Sequence, residues 1–225
     1  MKTRILLIGL VSALSLLALP LTATAQQYDP NFEREFYVGL AGGATLSTAT
    51  LQPLYADKSF HQGYEGGFLL RYIAEKHFGI ETGLLLSQAG WSDDYGYLST
   101  DYYHRTMQFI ELPFLMHAYL QSGKARFFLN AGPKFSYFLS ESEAYNNEAY
   151  ASRYPYYNKA TETYFQWGIM GNAGFEFHLG RMVCGLSGGY YYGLSDIFSN
   201  RVTDPFVTSS IQQINARLYL LFQIQ

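Results

Sequence analysis

The sequence predicts an all-β fold: an eight-stranded antiparallel up-and-down transmembrane β-barrel with long extracellular loops and short periplasmic turns. Apolar and polar side chains alternate with a period of two over about eight segments, which is typical of strands with two different faces. The gaps between the segments are alternately long and short, as in outer-membrane barrels. Only 15% of the residues are charged and 18% are aromatic, whereas a soluble domain has roughly 25% charged residues.

The N-terminal region predicts export. Lys2 and Arg4 precede an apolar stretch from Ile5 to Leu19, and the small residues at 23 and 25 form the pattern that a signal peptidase cleaves. An uncleaved anchor is the alternative, but the stretch is shorter than the roughly 20 residues of a membrane-spanning helix. The predicted organisation is a cleaved signal peptide at residues 1–25, a periplasmic N-terminal segment at 26–35 and an outer-membrane barrel at 36–225.

Each strand is assigned from its alternating pattern. In order, the predicted strands are Phe36–Ser47, Tyr64–Ala74, His77–Trp91, Thr106–Leu120, Ala125–Leu139, Thr163–Leu179, Met182–Ser195 and Ile211–Gln225. Examples of the alternating apolar residues are Phe36, Val38 and Leu40; Tyr64, Phe68 and Leu70; Phe78, Ile80 and Leu84; Ile110, Leu112 and Phe114; Phe127, Leu129 and Phe135; Phe165, Trp167 and Ile169; and Ile214, Leu218 and Leu220. Strands of this length cross the hydrocarbon layer when they are tilted.

The gaps predict the orientation. Short turns are expected at Glu75-Lys76, Gln121–Lys124 and Gly180-Arg181, and long polar loops at Thr48–Gln62, Ser92–Arg105, Ser140–Glu162 and Asp196–Ser210. An even number of strands puts both chain ends on the side of the short turns, which we expect to be periplasmic. The long loops are then expected to face the outside of the cell.

Alternation alone does not tell which face points outwards, because a secreted lipocalin-like barrel has the same period with its apolar face inside. The polar face is mostly Gly, Ser, Ala, Asn and Gln, which suits a crowded interior. We therefore expect the apolar face to contact outer-membrane lipid. The single cysteine, Cys184, lies in a strand and excludes an intramolecular disulfide.

Charged residues on the polar face form the first candidate site. They are Glu65, Arg71, Glu81, Glu111, Lys134, Glu176 and Arg217. Because the lumen of a small barrel is only wide enough for side chains, these charges must pair or hold water. We interpret them as a charge network that braces the barrel. The alternative is a gated path for protons or small solutes.

Tyrosines in the long loops form the second candidate site, a binding surface. They are Tyr95, Tyr97, Tyr102, Tyr103, Tyr145, Tyr150, Tyr154, Tyr156 and Tyr157. Tyrosine is a rigid, amphipathic side chain that is enriched at binding surfaces. Glycans, other envelope proteins or a host surface are the candidate partners. The alternative is that these tyrosines anchor the loops among lipid headgroups.

No catalytic, cofactor or metal site is predicted. Barrel enzymes that deacylate lipid A carry His and Ser two positions apart on one strand, but the residues two positions after the histidines are Gly63, Gly79, Thr106, Tyr119 and Gly180. Asp93, Asp94 and Asp101 lack the spacing of a calcium loop. A net charge of −3 without a basic cluster argues against nucleic acid.

Four segments carry a family resemblance: Gly39–Ser47, Phe109–Pro113 (FIELP), Asn130–Pro133 (NAGP) and Gly171–Glu176 (GNAGFE). With them, the chain from about Phe36 to the C-terminus resembles the PorT-like outer-membrane β-barrel domain, a porin-like family common in the Gram-negative Bacteroidetes. It departs from the usual barrel ending, because the last residue is Gln225 and the nearest aromatic residue is Phe222.

The resemblance implies an outer-membrane protein with a structural or accessory role, and one branch of the family takes part in type IX secretion and gliding. We therefore expect a monomeric, non-enzymatic barrel in the outer membrane, accessory to an envelope complex, with its loops as the binding surface. A component of a secretion or transport machinery is the alternative. A lipid-modifying enzyme is the third hypothesis.

Overall fold

The computed structural model describes residues 32–54, 56–94, 101–201 and 204–224. The predicted signal peptide and most of the predicted periplasmic segment lie outside these residues. The described strands are β1 (Glu35–Gln52), β2 (Asp57–Ser59), β3 (His61–Glu75), β4 (Phe78–Asp94), β5 (Tyr103–Ser122), β6 (Ala125–Tyr145), β7 (Phe165–Leu179), β8 (Met182–Gly193) and β9 (Thr208–Gln223). A one-turn helix, α1 (Glu148–Ala151), lies between β6 and β7. None of the helices in the described ranges is long and apolar enough to cross a membrane.

The strands form one antiparallel sheet that closes in a ring, which confirms the predicted all-β antiparallel architecture. β1 pairs with β3, and each following strand pairs with the next until β9 returns to β1. The closing pair is long, because it runs from Tyr37 opposite Gln223 to Gln52 opposite Thr208. In the described residues the sheet has nine strands rather than the predicted eight, since the short β2 pairs with the end of β4 inside the first predicted loop.

The pairings also give the stagger of the ring. Paired residues can be followed from Phe165 in β7 through Tyr137, Ile110, Leu86, Gly66, Gly42, Leu218 and Leu186 to Phe175 in β7. One circuit therefore returns to β7 ten residues further along the same strand. A closed sheet can hold such a stagger only if its strands are tilted to the barrel axis, typically by about 35–45°.

Side chains alternate between the outside and the inside of the ring. In β7, Phe165, Trp167 and Ile169 are exposed, whereas Gln166 and Asn172 are buried. An apolar outside with a polar inside is the reverse of a water-soluble barrel and suits a wall that faces lipid. The predicted assignment of the two faces is confirmed, and the lipocalin-like alternative is wrong.

The two ends of the ring differ. The turn end has two-residue turns at 76–77, 123–124 and 180–181, together with the start of β1 and the end of β9. Gly123 and Gly180 lie in these turns with φ of 60° and 69°, a backbone conformation that favours glycine. The loop end has the longer connections, at 53–60 around β2 and at 95–102, 146–164 and 194–207.

At the loop end, the strands extend further than the sequence predicts. Residues 103–105 and 140–145 fall in predicted loops but belong to β5 and β6. β6 continues beyond its pairing with β7, which ends at Tyr137 opposite Phe165. Conversely, β7 begins two residues later than Thr163 and β8 ends two residues before Ser195. The wall of β4, β5 and β6 therefore continues beyond the ends of β7 and β8.

Candidate functional site

The predicted charged residues all lie inside the ring. None is more than 4% exposed: they are Glu65, Arg71, Glu81, Glu111, Lys134, Glu176 and Arg217. The strands position them because inward-facing residues recur every second position. The ring then brings together residues that are far apart in the sequence.

Arg71 is the centre of a turn-end charge group formed by Arg71, Glu81, Arg126 and Glu176. Its guanidinium donates to Glu81 Oε2 from Nε at 3.0 Å and from Nη2 at 2.7 Å. It also donates to Glu176 Oε2 from Nη1 at 2.6 Å. Asn130 donates to the other oxygen of Glu81, and the Tyr219 hydroxyl donates to Glu176. One cation thus joins carboxylates from β4 and β7 across the interior.

Arg126 belongs to the same group, although it is not among the predicted residues of the charge network. Its Nη1 lies 3.5 Å from Glu176 Oε1, and its guanidinium lies 3.8 Å over the Tyr119 ring. The alternation of β6 could have predicted it, because Arg126 shares the inward face with Asn130 and Lys134. With Arg126, the buried carboxylates and cations that lie on the strands below the loop end are equal in number. Among the described residues there, four carboxylates meet four cations: Glu65, Glu81, Glu111 and Glu176 with Arg71, Arg126, Lys134 and Arg217.

Two further ion pairs, the middle pairs, lie inside the ring nearer the loop end. Arg217 donates from Nε to Glu65 Oε1 at 2.7 Å. Lys134 donates from Nζ to Glu111 Oε1 at 2.7 Å and to Gln213 at 3.1 Å. Because each charge is buried and paired, removal of one partner leaves an uncompensated charge, which costs about 3–5 kcal/mol.

Apolar residues close the interior at the loop end. This cap cluster consists of Ala49, Leu51, Ala89, Trp91, Tyr103, Met107, Phe109, Phe138, Tyr156, Ile197, Phe198, Phe206 and Ile211. Tyr156, Ile197, Phe198 and Phe206 come from the connections 146–164 and 194–207, and each is at most 1% exposed. Phe198 stacks on Phe206 with ring centroids 5.0 Å apart. These two loops therefore fold inwards over the barrel.

Arg105 ties the loops of the cap cluster to the wall. From β5 it donates to Glu141 and Glu143 of β6 and to the carbonyls of Tyr156 and Lys159, the last at 2.6 Å. Its guanidinium lies 5.3 Å from both the Trp91 and Phe198 rings. Arg105 is not among the predicted site residues, because its position falls in a predicted loop. The spacing of Glu141 and Glu143, two positions apart, is the signal that the strand continues.

A second contact joins β2 to the cap. Lys58 donates to Asp93 and, at 2.9 Å, to the hydroxyl of Tyr156, and that hydroxyl donates to Asp93. Burial lowers the pKa of Lys58, and the neighbouring Asp93 carboxylate opposes this effect. Three segments that are distant in the sequence, β2, β4 and the connection 146–164, thus meet at one point.

A match to a known family decides the class of protein. The model of the family described as outer membrane protein beta-barrel domain matches residues 24–199. The chain belongs to this family. The protein is therefore an outer-membrane β-barrel.

The chain is also similar to solved structures of outer-membrane proteins. The outer membrane protein OprG from Pseudomonas aeruginosa is 13% identical, with a TM-score of 0.51 over 85% of this chain and 96% of OprG. Neisserial surface protein A is 10% identical, with a TM-score of 0.46 over 85% of this chain and 99% of that protein. No curated protein matches the sequence.

The loop tyrosines of this outer-membrane barrel have several different positions. Tyr102 is 43% exposed, but Tyr103 and Tyr156 are fully buried in the cap cluster. Tyr145, Tyr154 and Tyr157 are partly buried and pack against that cluster. The expectation that Tyr103 and Tyr156 belong to an exposed binding surface is therefore wrong, because their rings fill the cap. Tyr95, Tyr97 and the side chain of Tyr150 lie outside the described residues.

Groups that could perform catalysis or bind metal are sparse in the described part of the barrel. No cluster of three or more His, Cys, Asp or Glu residues in those ranges could hold a metal ion. His104 Nδ1 contacts Ser92 Oγ at 2.6 Å, a contact that the sequence analysis misses. A catalytic triad needs an acid on the second ring nitrogen, and the described residues place no carboxylate there. Ser92 is also only 5% exposed.

Proposed function

We propose that the protein is a closed, non-enzymatic outer-membrane barrel that is structural or accessory to an envelope complex and presents its loop end as the binding surface. One observation carries the proposal: the cap cluster and Arg105 hold two loops over the interior in a folded state. Loops that are already ordered lose less conformational entropy when a partner binds. A barrel built to conduct would gain nothing from this arrangement.

The proposal includes an orientation. The eight long strands span the membrane, the turn end faces the periplasm and the loop end faces the outside of the cell, after removal of residues 1–25. An even number of spanning strands and short turns beside both chain ends support this orientation. The resemblance of four strand segments to the PorT-like family supports a place in the envelope of Bacteroidetes.

Closure of the lumen supports a structural role over transport. Arg71, Glu176 and Tyr219 meet across the interior near the turn end. Nearer the loop end, Lys134 on β6 donates a hydrogen bond to Gln213 on β9. The cap cluster then covers the loop end. In a barrel of this size, side chains are sufficient to fill the lumen.

The rim of the loop end offers the surface for a partner. Its exposed side chains include Leu54 at 63%, Phe60 at 58%, Tyr102 at 43%, Tyr164 at 53% and Val207 at 69%. Aromatic and aliphatic residues of this kind supply most of the energy at protein interfaces. We propose that this rim, rather than the buried tyrosines, contacts another envelope protein or a glycan, while the barrel itself remains a monomer.

Conductance tests the closed state. The purified protein is expected to produce no stable pore in planar bilayers. An Arg105→Met variant, in which the cap loses its hydrogen bonds to Glu141 and Glu143, should also remain closed, because the side chains of Arg71, Glu176 and Lys134 still fill the lumen. Steady conductance by the unaltered protein would overturn the closed barrel and favour the transport alternative.

Crosslinking in living cells tests the accessory role. A photo-reactive residue at Tyr102 or Tyr164 is expected to capture an envelope component. The same residue at Leu84, which is 53% exposed on the lipid-facing wall, is the matched control. Equal capture at all positions would contradict a binding surface at the rim. A changed acyl pattern of lipid A in a deletion strain would overturn the non-enzymatic role.

A further inference from the structure

We propose that His61 and His104 form a binding site for a borderline transition-metal cation, Zn²⁺ or Cu²⁺, on the outer face of the wall at the loop end. His61 is the first residue of β3 and His104 the second of β5. The two strands are not neighbours, because β4 lies between them. The two rings nevertheless approach each other, with centroids 6.4 Å apart.

Gly90 makes this approach possible. It lies on β4 opposite Thr106 of β5. A Cβ at this position would lie 3.3 Å from the ring atom Cδ2 of His61. Without a side chain at Gly90, His61 can cross over β4 and reach β5. The wall thus contains a shallow cradle into which the imidazole fits.

Hydroxyl groups fix the orientation of both rings. His61 Nε2 lies 3.0 Å from Thr106 Oγ1, and His104 Nδ1 lies 2.6 Å from Ser92 Oγ. The ring of Tyr102 stacks on His104 with centroids 5.2 Å apart. Each imidazole therefore has one nitrogen engaged, and none of the described residues makes a hydrogen bond to the other, His61 Nδ1 or His104 Nε2. Histidines that bind metals use this arrangement, because the second ring nitrogen donates to an oxygen that orients the ring.

The distance between the rings suits a shared ion after a small adjustment. Metal–nitrogen bonds of about 2.0–2.1 Å place two ligating imidazoles with their centroids roughly 5 Å apart in tetrahedral geometry. A rotation of the two half-buried side chains that shortens the distance by about 1 Å is sufficient. Water would complete the coordination. Imidazole ligands favour Zn²⁺ and Cu²⁺ over Ca²⁺ and Mg²⁺, which prefer oxygen.

Titration calorimetry of the full-length protein in detergent micelles tests the site, with Zn²⁺ alone and Mg²⁺ alone as probes. We expect one Zn²⁺ per chain and no Mg²⁺ binding. His61→Ala and His104→Ala are each expected to weaken Zn²⁺ binding at least tenfold. Ser92→Ala and Thr106→Val should weaken it by about 10–100-fold, because they release the rings. The heat-dependent gel mobility of each variant checks that it is folded.

His77 provides the matched control, since it is a histidine at the opposite end of the barrel that contacts the Tyr119 carbonyl. Because His77 has a φ of 76°, His77→Asn is the tolerated substitution, and it should leave Zn²⁺ binding unchanged. Electron paramagnetic resonance of the Cu²⁺ form should show two nitrogen ligands. Unchanged affinity in a folded His61→Ala, His104→Ala double variant, or a single nitrogen ligand in the unaltered protein, would overturn the proposal.

Discussion

The interior of the barrel is packed in two different ways at its two ends. Near the turn end, Arg71 and Arg126 pair with Glu81 and Glu176, and all four side chains come from strands. At the loop end, the cap cluster is mostly aromatic and aliphatic, and four of its members come from loops. Inward-facing residues of one set of strands thus form two kinds of core, a charged one at the turn end and an apolar one at the loop end.

The stability of the charged core and the stability of the apolar cap depend on different interactions. Charges held by a closed ring of strands cannot leave the interior, so they must balance and pair. Loop residues can leave, so they stay only if apolar burial and the hydrogen bonds of Arg105 outweigh their lost freedom. We therefore expect the turn-end charge group to govern global stability and the cap to open locally.

Arg71→Ala should produce the largest loss of stability. It leaves the buried Glu81 without a cationic partner and Glu176 with Arg126 alone, which should lower the free energy of unfolding by about 3–5 kcal/mol. Urea titration in lipid vesicles, with folded and unfolded bands separated on unheated gels, measures the change. Arg181→Ala is the control, because Arg181 is exposed in a turn. Equal stability of the two variants would contradict bracing by the charge group.

Arg105→Met should open the cap without unfolding the barrel. Hydrogen bonds to charged groups contribute about 1.5–3 kcal/mol, so we expect trypsin to cleave after Lys159 roughly 10- to 100-fold faster. The carbonyl of Lys159 is one of the groups that Arg105 holds. Arg201→Met, an exposed change in the neighbouring loop, should leave that rate unaltered. A large loss of global stability instead would mean that the cap and the strands unfold together.

Two glycines of β7 allow the effect of an added methyl group to be compared between the inner and the outer face of the barrel. A Cβ at Gly174 would lie 2.6 Å from the Phe128 ring and 2.3 Å from the Leu186 carbonyl, whereas at Gly171 the nearest atom is 3.9 Å away. Gly174→Ala should therefore cost about 1–3 kcal/mol by overpacking, and Gly171→Ala should be nearly neutral. The same urea titration compares them. Similar losses for both would indicate that glycine acts here through the backbone rather than through the crowded interior.

Acid should loosen one contact between the two cap loops. Glu162 accepts hydrogen bonds from Lys159 and from the backbone of Ser199, and these lower its pKa. A carboxylate with a lowered folded pKa stabilises above its unfolded pKa of about 4.3 and loses that effect as the pH falls through the folded value. Amide exchange at Ser199, corrected for intrinsic rates, should lose protection on acidification. Because Glu162 is exposed, the effect is small and salt-dependent. In Glu162→Gln this pH dependence should disappear.

The sequence was sufficient to predict which residues face inwards within each strand. Between bulges, a period of two fixes the face of every position once a single residue is assigned, so Glu65, Glu111 and Lys134 could be placed from pattern alone. Their partners could not be predicted. Arg71 and Glu176 are 105 residues apart, and only the stagger of the closed ring determines that they meet.

The cap was not predictable for a different physical reason. Tyr156, Phe198 and Phe206 lie in segments with no regular period, so nothing in the pattern separates a loop residue that folds inwards from one that faces solvent. Arg105 follows the inward alternation of β5, but the polar composition around it resembles a loop. Glu143 lies beyond a bulge between Phe138 and Ser140 that shifts the alternation of β6 by one residue. The pair of His61 and His104 depends on Gly90 of a third strand, a relation that becomes visible only in three dimensions.

The closing pair between β1 and β9 also constrains the order of assembly. Its partners come from the first and the last strand of the polypeptide, and they are matched from Tyr37–Gln223 to Gln52–Thr208. Until the final strand has been synthesised and exported, β1 has an open hydrogen-bonding edge that invites pairing with other chains. Insertion therefore cannot finish progressively from the N-terminus. A chain that lost its last strand would keep that edge exposed, so it would be a target for proteolysis or aggregation rather than a slightly smaller barrel.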